Sequence, residues 1–126
     1  MHELSLANDV LRACVSKLPA EARLGRVRLA VGELSAVEPD LLRFAWQAVV
    51  AATSHEGCVI EVEWRRARQV CEACGDVPGR AAGSWLRLCP RCGQPLRIEG
   101  GQELDLLDLT YDVPEDSRAE TKVPTP

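Results

Sequence analysis

The sequence has no long hydrophobic run, only two histidines, and no glycine-rich loop of the kind that cradles a phosphate. No apolar run approaches the roughly 20 residues of a membrane-spanning helix, so we expect no membrane partner. The N-terminus has no basic stretch followed by an apolar one, which is the pattern of a targeting segment, so we expect a cytoplasmic protein. The two histidines lie far apart in the sequence and no catalytic constellation is recognisable, so the chain is predicted not to be an enzyme.

Four of the six cysteines form two Cys-x-x-Cys pairs, each followed directly by a glycine. The pairs are Cys71 with Cys74 and Cys89 with Cys92. Each pair makes a tight knuckle, and two facing knuckles supply the closed tetrahedral set of thiolates that structural Zn(II) takes. The alternative is two disulfides, which the reducing compartment expected here disfavours. The spacing therefore predicts a structural zinc site.

The other two cysteines and the second histidine belong to no motif. Cys14 lies on an apolar helical stripe and Cys58 opens a strand, so both are predicted to be small buried hydrophobic residues rather than reactive thiols. His55 falls in a loop between a helix and a strand. We expect it to be a solvated surface residue.

Hydrophobic periodicity predicts an α+β fold. Ser35 and Glu38 have the spacing of a capping box, and Pro39 suits the first turn of the helix that follows. Gly32, at the end of a strand, indicates a bulge or a close approach of two backbones. The predicted elements are helices over residues 4–18 and 39–53 and strands over residues 26–34, 58–65 and 103–111.

The cysteine-rich segment is predicted to be an insertion between two strands. The fold would be two helices packed on a small three-stranded sheet, with an inserted four-cysteine zinc-ribbon lobe hanging from two adjacent strands. The predicted domains are an α/β domain over residues 1–65 plus 99–112, a zinc-ribbon domain over 66–98, and a disordered tail over 113–126. The tail is Pro-rich and charged, with nothing large to bury.

Charge is distributed unevenly along a chain whose formal net charge is −4. The segment from residue 65 to 98 holds seven arginines and two acids, whereas the rest of the chain is acidic. One interpretation is a lobe that docks on an acidic partner. The alternative is a nucleic-acid-binding zinc ribbon, in which the arginines meet phosphates and Trp64 and Trp85 stack on bases. The net negative charge argues against nucleic acid as the main partner.

The start of the chain, Met1-His2-Glu3, is a candidate site for a second metal. The α-amine of Met1, the amide nitrogen of His2 and its Nδ1 can close consecutive chelate rings around one ion. Deprotonated amides favour a square-planar Ni(II) or Cu(II) over Zn(II). The amide or the carboxylate of Glu3 is a candidate for the remaining position. The alternative is a chance histidine after the start codon.

Several motifs occur together in one order. They are Met1-His2-Glu3-Leu4-Ser5-Leu6-Ala7, Val31-Gly32-Glu33-Leu34-Ser35, Val37-Glu38-Pro39, the two knuckles, and Gly101-Gln102-Glu103-Leu104. In this combination, over residues 1 to about 111, the chain resembles the HypA/HybF family of hydrogenase-maturation nickel chaperones. It departs from the family pattern in the stretch from Asp76 to Gly83 and in the Pro-rich tail, neither of which touches a proposed ligand.

The resemblance implies a carrier that binds Ni(II) as cargo and helps insert it into the large-subunit precursor of a [NiFe]-hydrogenase. It implies a HypB-type GTPase as partner, and urease maturation proteins as a further partner class. It places nickel on His2, with Glu3 as the neighbouring acid, and Zn(II) on the four paired cysteines. The third interpretation is a structural interaction module, in which the zinc only stabilises the lobe.

Overall fold

The computed structural model describes residues 2–78 and 84–114, so most of the predicted disordered tail lies outside the described residues. Two helices and six strands are assigned there, and the strands form two three-stranded sheets, ordered β2-β1-β6 and β4-β3-β5. The predicted α+β class, with two helices, a small sheet and a cysteine-rich insertion, is confirmed. The bounds are α1 His2–Val15, β1 Arg23–Gly32, α2 Pro39–Val50, β2 Val59–Arg65, β3 Arg68–Cys71, β4 Gly75–Asp76, β5 Leu96–Glu99 and β6 Leu104–Asp112.

Helix α1 begins at His2, two residues earlier than the periodicity predicts, and ends at Val15. Its apolar stripe buries Ala7, Val10 and Cys14, at the spacing that one face of a 3.6-residue repeat requires. Cys58 is also buried, so both unpaired cysteines are core residues as predicted. Burial raises the pKa of Cys14 to about 11 and also raises the pKa of Cys58, which keeps both thiols protonated and inert.

Helix α2 starts at Pro39 without the predicted capping box. The N-cap is Glu38, in an extended conformation, and no side chain caps the helix. Ser35 instead donates its hydroxyl hydrogen to the carbonyl oxygen of Gly32, at 2.8 Å. Pro39 favours a start at this point, because its fixed φ suits the first helical position and its missing N–H is not needed there.

Helix α2 is apolar around much of its girth, but only one side of it is buried. Leu42, Ala45, Trp46 and Val50 are buried. The indole N–H of Trp46 is satisfied by the carbonyl oxygen of Cys58, at 3.1 Å. Phe44, by contrast, is 72% exposed, so α2 has a second apolar side that lies outside the core.

Strand β1 lies between β2 and β6. The prediction that the strands flanking the insertion are adjacent is therefore wrong. Two ion pairs join β1 to its neighbours in this order. Arg26 pairs with Glu61 on β2 at 3.3 Å, and Arg28 pairs with Asp108 on β6.

His55 is only 9% exposed, so the prediction of a solvated surface residue is wrong. Its Nδ1 accepts a hydrogen bond from the backbone N–H of buried Leu24, at 3.1 Å. A buried backbone donor must find an acceptor, and here the imidazole supplies it.

The described chain divides into two compact units. One holds residues 2–29, 38–62 and 106–114, and the other holds 30–37, 63–78 and 84–105. The second unit takes in the end of β1 as well as the cysteine-rich insertion. The domain boundaries predicted from the sequence remain a prediction.

The close approach predicted at Gly32 is confirmed. A Cβ on Gly32 would lie 2.1 Å from the carbonyl oxygen of Gly101 and 2.7 Å from the backbone nitrogen of Glu103. The N–H of Gly32 donates to the carbonyl oxygen of Glu103 at 2.7 Å, and that of Leu34 donates to Gly101 at 2.6 Å. The end of β1 is therefore fixed directly against the chain segment that leaves the insertion.

Candidate metal centre

The first knuckle is a hairpin between β3 and β4. Cys71 ends β3 and pairs with Gly75, which opens β4, so the chain reverses across the residues between them. The second knuckle is closed by backbone bonds, in which Gly93 donates to the carbonyl oxygen of Cys89 at 2.9 Å. Gly75 and Gly93 have φ of 83° and 77°. Each knuckle thus ends on a left-handed residue, which glycine adopts without a steric cost.

The four sulfurs converge on one point. The Sγ atoms of Cys71, Cys74, Cys89 and Cys92 all lie within 4.8 Å of one another, and those of Cys71 and Cys92 are 3.4 Å apart. A Zn–S bond of about 2.3 Å places the corners of a tetrahedron about 3.8 Å apart. The observed spacing therefore fits a four-thiolate metal site, and Val77 and Leu96 pack against it.

Electrostatics also favours a cation at this position. The backbone N–H of Arg91 lies 3.4 Å from the Sγ of Cys89, and this donor lowers the pKa of that thiol to about 7. Hydrogen bonding with Cys92, followed by burial and the other two thiols, raises the pKa of Cys74 to about 12. Four clustered thiols cannot all ionise unaided, and a metal ion removes that obstacle because it binds the thiolate form.

Gln69 supports the centre in a way that sequence reasoning missed. Its side chain is 3% exposed. The amide group of Gln69 donates from Nε2 to the carbonyl oxygen of Leu86 at 2.7 Å and accepts the N–H of Leu86 at Oε1, at 3.0 Å. One side chain thereby replaces a pair of strand-to-strand bonds and holds the segment that leads into the second knuckle. The sequence signal that could have indicated this contact is a glutamine placed directly before the apolar residues Val70 and Cys71.

Two arginines of the basic segment, Arg68 and Arg97, are paired with nearby acids. Arg68 and Arg97 both contact the carboxylate of Glu99, at 2.8 and 2.7 Å. Arg97 also reaches Glu72 at 3.1 Å, and Arg68 reaches Asp76 at 3.8 Å. These pairs reduce the cationic surface on which the nucleic-acid interpretation depends.

The N-terminal candidate site lies at the start of α1. His2 is exposed and is the first residue of the helix, while Met1 lies outside the described residues. Amide N–H groups in the first turn of a helix have no carbonyl one turn earlier to bind. The amides of His2 and Glu3 therefore have no intrahelical acceptor and can be given up to a metal without breaking the helix.

The carboxylate of Glu3 is already engaged. Its Oε2 accepts the backbone N–H of Glu38, the N-cap of α2, at 3.1 Å. This hydrogen bond lowers the pKa of Glu3 below its ordinary value. It also compensates for the missing side-chain cap of α2 and ties the starts of the two helices together.

A four-thiolate centre in a small α+β fold defines a metal-binding protein. A family model described as "Hydrogenase/urease nickel incorporation, metallochaperone, hypA" matches residues 1–111. The chain belongs to this family, and the resemblance drawn from its motifs is confirmed. It is a member of the HypA family of hydrogenase-maturation metallochaperones.

Individual relatives agree with the family assignment. The chain is 35% identical over 115 residues to the hydrogenase maturation factor HypA of Chlorobaculum parvum, covering 89% of this chain and 100% of that protein. It is 36% identical over 120 residues to the factor of the same name from a Roseiflexus species, covering 91% and 97%. The solution structure of the Ni metallochaperone HypA from Helicobacter pylori shares the fold, with a TM-score of 0.56 at 20% identity, covering 89% of this chain and 98% of that one.

Along the described part of the chain, no helix combines the length and the apolar character that crossing a membrane requires.

Proposed function

We propose that this chain binds Ni(II) at its N-terminus and delivers it for maturation of the large subunit of a [NiFe]-hydrogenase. The observation that carries the proposal is the position of His2. It is exposed at the first turn of α1, in a chain of a family described by nickel incorporation. The proposed role is transport and transfer, which requires no reaction by this chain. We place this work in the cytoplasm.

The proposed nickel ligands are the α-amine of Met1, the amide nitrogen and Nδ1 of His2, and the amide nitrogen of Glu3. Anionic amides and an imidazole give the strong nitrogen field that suits square-planar Ni(II). The position of these amides in the first turn, where they have no intrahelical acceptor, supports this set. The carboxylate of Glu3 is the weaker candidate for the fourth position, because it already accepts the N–H of Glu38.

The proposed ligands of Zn(II) are Cys71, Cys74, Cys89 and Cys92, and the role of the zinc is structural. The fit of the sulfur spacing to a tetrahedron supports this proposal. Four thiolates leave no open position for a water or a substrate. The two metals would then be kept apart by ligand type, soft thiolates at one site and planar nitrogens at the other.

The proposed partners are a HypB-type GTPase and the hydrogenase large-subunit precursor, with urease maturation proteins as a further class. The proposed domain division remains an α/β domain of residues 1–65 plus 99–112 for the nickel and a zinc-ribbon domain of residues 66–98. Family membership supports hydrogenase-related partners.

Nickel titration of the untagged protein tests the proposal. We expect one tight site in the wild type, with a diamagnetic square-planar spectrum. His2→Ala should lose that site while keeping its zinc content and its helical circular dichroism. A second variant has one residue added before Met1, which keeps every side chain but moves the amine out of the chelate. It should therefore bind nickel more weakly than the wild type. If the His2→Ala protein binds one nickel as tightly as the wild type, the proposed N-terminal nickel site is refuted.

A further inference from the structure

The four cysteines of the metal centre differ in how far solvent reaches them. Cys71 is 1% exposed and Cys89 is 3% exposed, whereas Cys74 is half-buried and Cys92 is exposed. Oxidation of a cysteine requires a thiolate and access for the oxidant. Because metal binding makes all four sulfurs thiolates, access is the property that distinguishes them. Cys92 is therefore the ligand that a dissolved oxidant meets first.

A second cysteine sulfur lies within reach of Cys92. The Sγ of Cys71, at the end of β3, is 3.4 Å from the Sγ of Cys92. A disulfide bond is about 2 Å long, so the two sulfurs need to approach each other by only about 1.4 Å. The two residues belong to different knuckles. Cys71 is thus placed to attack an oxidised Cys92, although it is itself shielded from solvent.

Cys89 is the competing partner, because it shares the second knuckle with Cys92. Its sulfur is held by another group, since the backbone N–H of Arg91 donates to the Sγ of Cys89 at 3.4 Å. The carbonyl oxygen of Cys89 also accepts the N–H of Gly93 at 2.9 Å. A bond from Cys89 to Cys92 would close a ring inside this hydrogen-bonded turn and disturb it, whereas a bond from Cys71 leaves the turn as it is. The geometry therefore favours Cys71 as the partner.

We propose that Cys92 is an oxidation site, at which a peroxide begins the conversion of the metal centre into a disulfide between Cys92 and Cys71. This inference rests on the proposed function, because it takes the four thiolates to be the zinc ligands. In the first step the sulfur of Cys92 takes a hydroxyl group from the peroxide: the S–O bond forms, the O–O bond breaks and hydroxide leaves. In the second step the sulfur of Cys71 attacks that of Cys92: the S–S bond forms, the S–O bond breaks and a second hydroxide leaves. The two thiolates together lose two electrons, which reduce the peroxide.

The disulfide takes over the structural task of the metal. Only Cys74 and Cys89 remain as thiolates, which is half of a tetrahedral set, so the zinc is released. The new bond joins residues 21 positions apart and links the first knuckle to the second, as the metal does. The insertion therefore stays closed without its zinc. Thiols of a reducing compartment reverse the bond, so the disulfide is a transient product and not the resting state.

The test treats the untagged, zinc-containing wild type with hydrogen peroxide and maps the product by mass spectrometry after alkylation and trypsin digestion. Trypsin places Cys92 in peptide 92–97, Cys89 in peptide 88–91, and Cys71 with Cys74 in peptide 69–80. We expect peptide 69–80 linked to peptide 92–97, with fragmentation assigning the bond to Cys71. A chelating dye should record the loss of one zinc ion for each disulfide formed. Cys14 and Cys58 are internal controls, because both are buried in the core and should stay reduced.

Amide exchange tests whether the disulfide keeps the insertion closed. The N–H of Leu86, which lies between the two cysteines in the sequence, donates to the Oε1 of Gln69 at 3.0 Å. In the oxidised, zinc-free protein this amide should exchange at least about tenfold more slowly than in reduced protein stripped of zinc by a chelator, since a disulfide typically stabilises by more than that factor. Equally fast exchange in the two proteins would show that the bond does not replace the metal.

Three outcomes would overturn the proposal. They are a main product linked within one knuckle, oxidation of Cys14 or Cys58 before Cys92, and zinc that stays bound after the disulfide has formed. The zinc content of the untreated protein separates this proposal from the proposed function. If the untreated protein holds no zinc, the assignment of the zinc ligands fails, and the peptide map still decides which cysteines join. If zinc is present but Cys89 joins Cys92, only the assignment of the oxidation product fails.

Discussion

Replacing Gly32 by alanine should be among the most damaging single changes in this chain. Its Cβ would lie 2.1 Å from the carbonyl oxygen of Gly101 and 2.3 Å from the carbonyl carbon. Both obstacles are backbone atoms, so no side-chain rotation relieves the contact. The two segments must move apart before the Cβ reaches ordinary van der Waals distance.

That separation breaks the bonds that join the segments. Gly32 donates to Glu103 at 2.7 Å and Leu34 donates to Gly101 at 2.6 Å. Each hydrogen bond contributes about 0.5–1.5 kcal/mol net, and forcing extra volume into a packed site costs about 1–3 kcal/mol. We expect Gly32→Ala to lower the free energy of unfolding by about 4 kcal/mol.

Urea unfolding of the zinc-containing protein, followed by circular dichroism, measures the effect. Gly25→Ala is the control in the same strand, because its Cβ would meet the Oγ1 of Thr110 at an ordinary 3.4 Å. Gly25→Ala should change the free energy of unfolding by less than about 1 kcal/mol. If the Gly32→Ala and Gly25→Ala proteins unfold at the same urea concentration, the close approach of the backbones is not as described and the reasoning is refuted.

Three further predictions concern single contacts. Gln69→Ala should lower stability by about 2 kcal/mol by deleting both bonds to Leu86; the Leu86 amide should then exchange with solvent faster, and unchanged exchange would contradict the clamp. The hydrogen bond from the N–H of Glu38 lowers the pKa of Glu3, so the stability that this bond contributes is present at neutral pH and is lost as the pH falls below about 4.5 through the lowered pKa. The NMR chemical shift of the Glu38 amide should follow that titration in the wild type but not in Glu3→Gln. Cys71→Ser should cut zinc content and amide protection around the knuckles while the helical signal persists, and full zinc occupancy by mass spectrometry would oppose a four-thiolate site.

The features that were predicted correctly are mostly local ones. Two Cys-x-x-Cys pairs with following glycines determine their own turns over a few residues, so the knuckles were visible in the sequence. The same holds for the apolar stripe of α1 and for Pro39 at the start of α2. Gly32 was also identified correctly, because a glycine at the end of an apolar strand commonly marks a place where another backbone comes close.

Apart from the capping box, the errors concern contacts between residues distant in sequence. His55 is buried rather than exposed, and its partner is Leu24, which is 31 positions away and needs an acceptor for its N–H. The central place of β1 joins it to β2 and to β6, which lies far away in the sequence. Phe44 is a large apolar residue, and only the three-dimensional packing shows that it lies outside the core.

The two ends of the insertion are paired with each other. Arg68, where it begins, lies opposite Glu99, where it ends, and the register continues to Cys71 opposite Leu96. A segment whose ends already meet can change length between them without displacing the point where it joins the rest of the chain. The family pattern can therefore accommodate the atypical stretch from Asp76 to Gly83 between the two knuckles. The part of the insertion beyond the paired strands can therefore differ in length and sequence while its two ends keep their register.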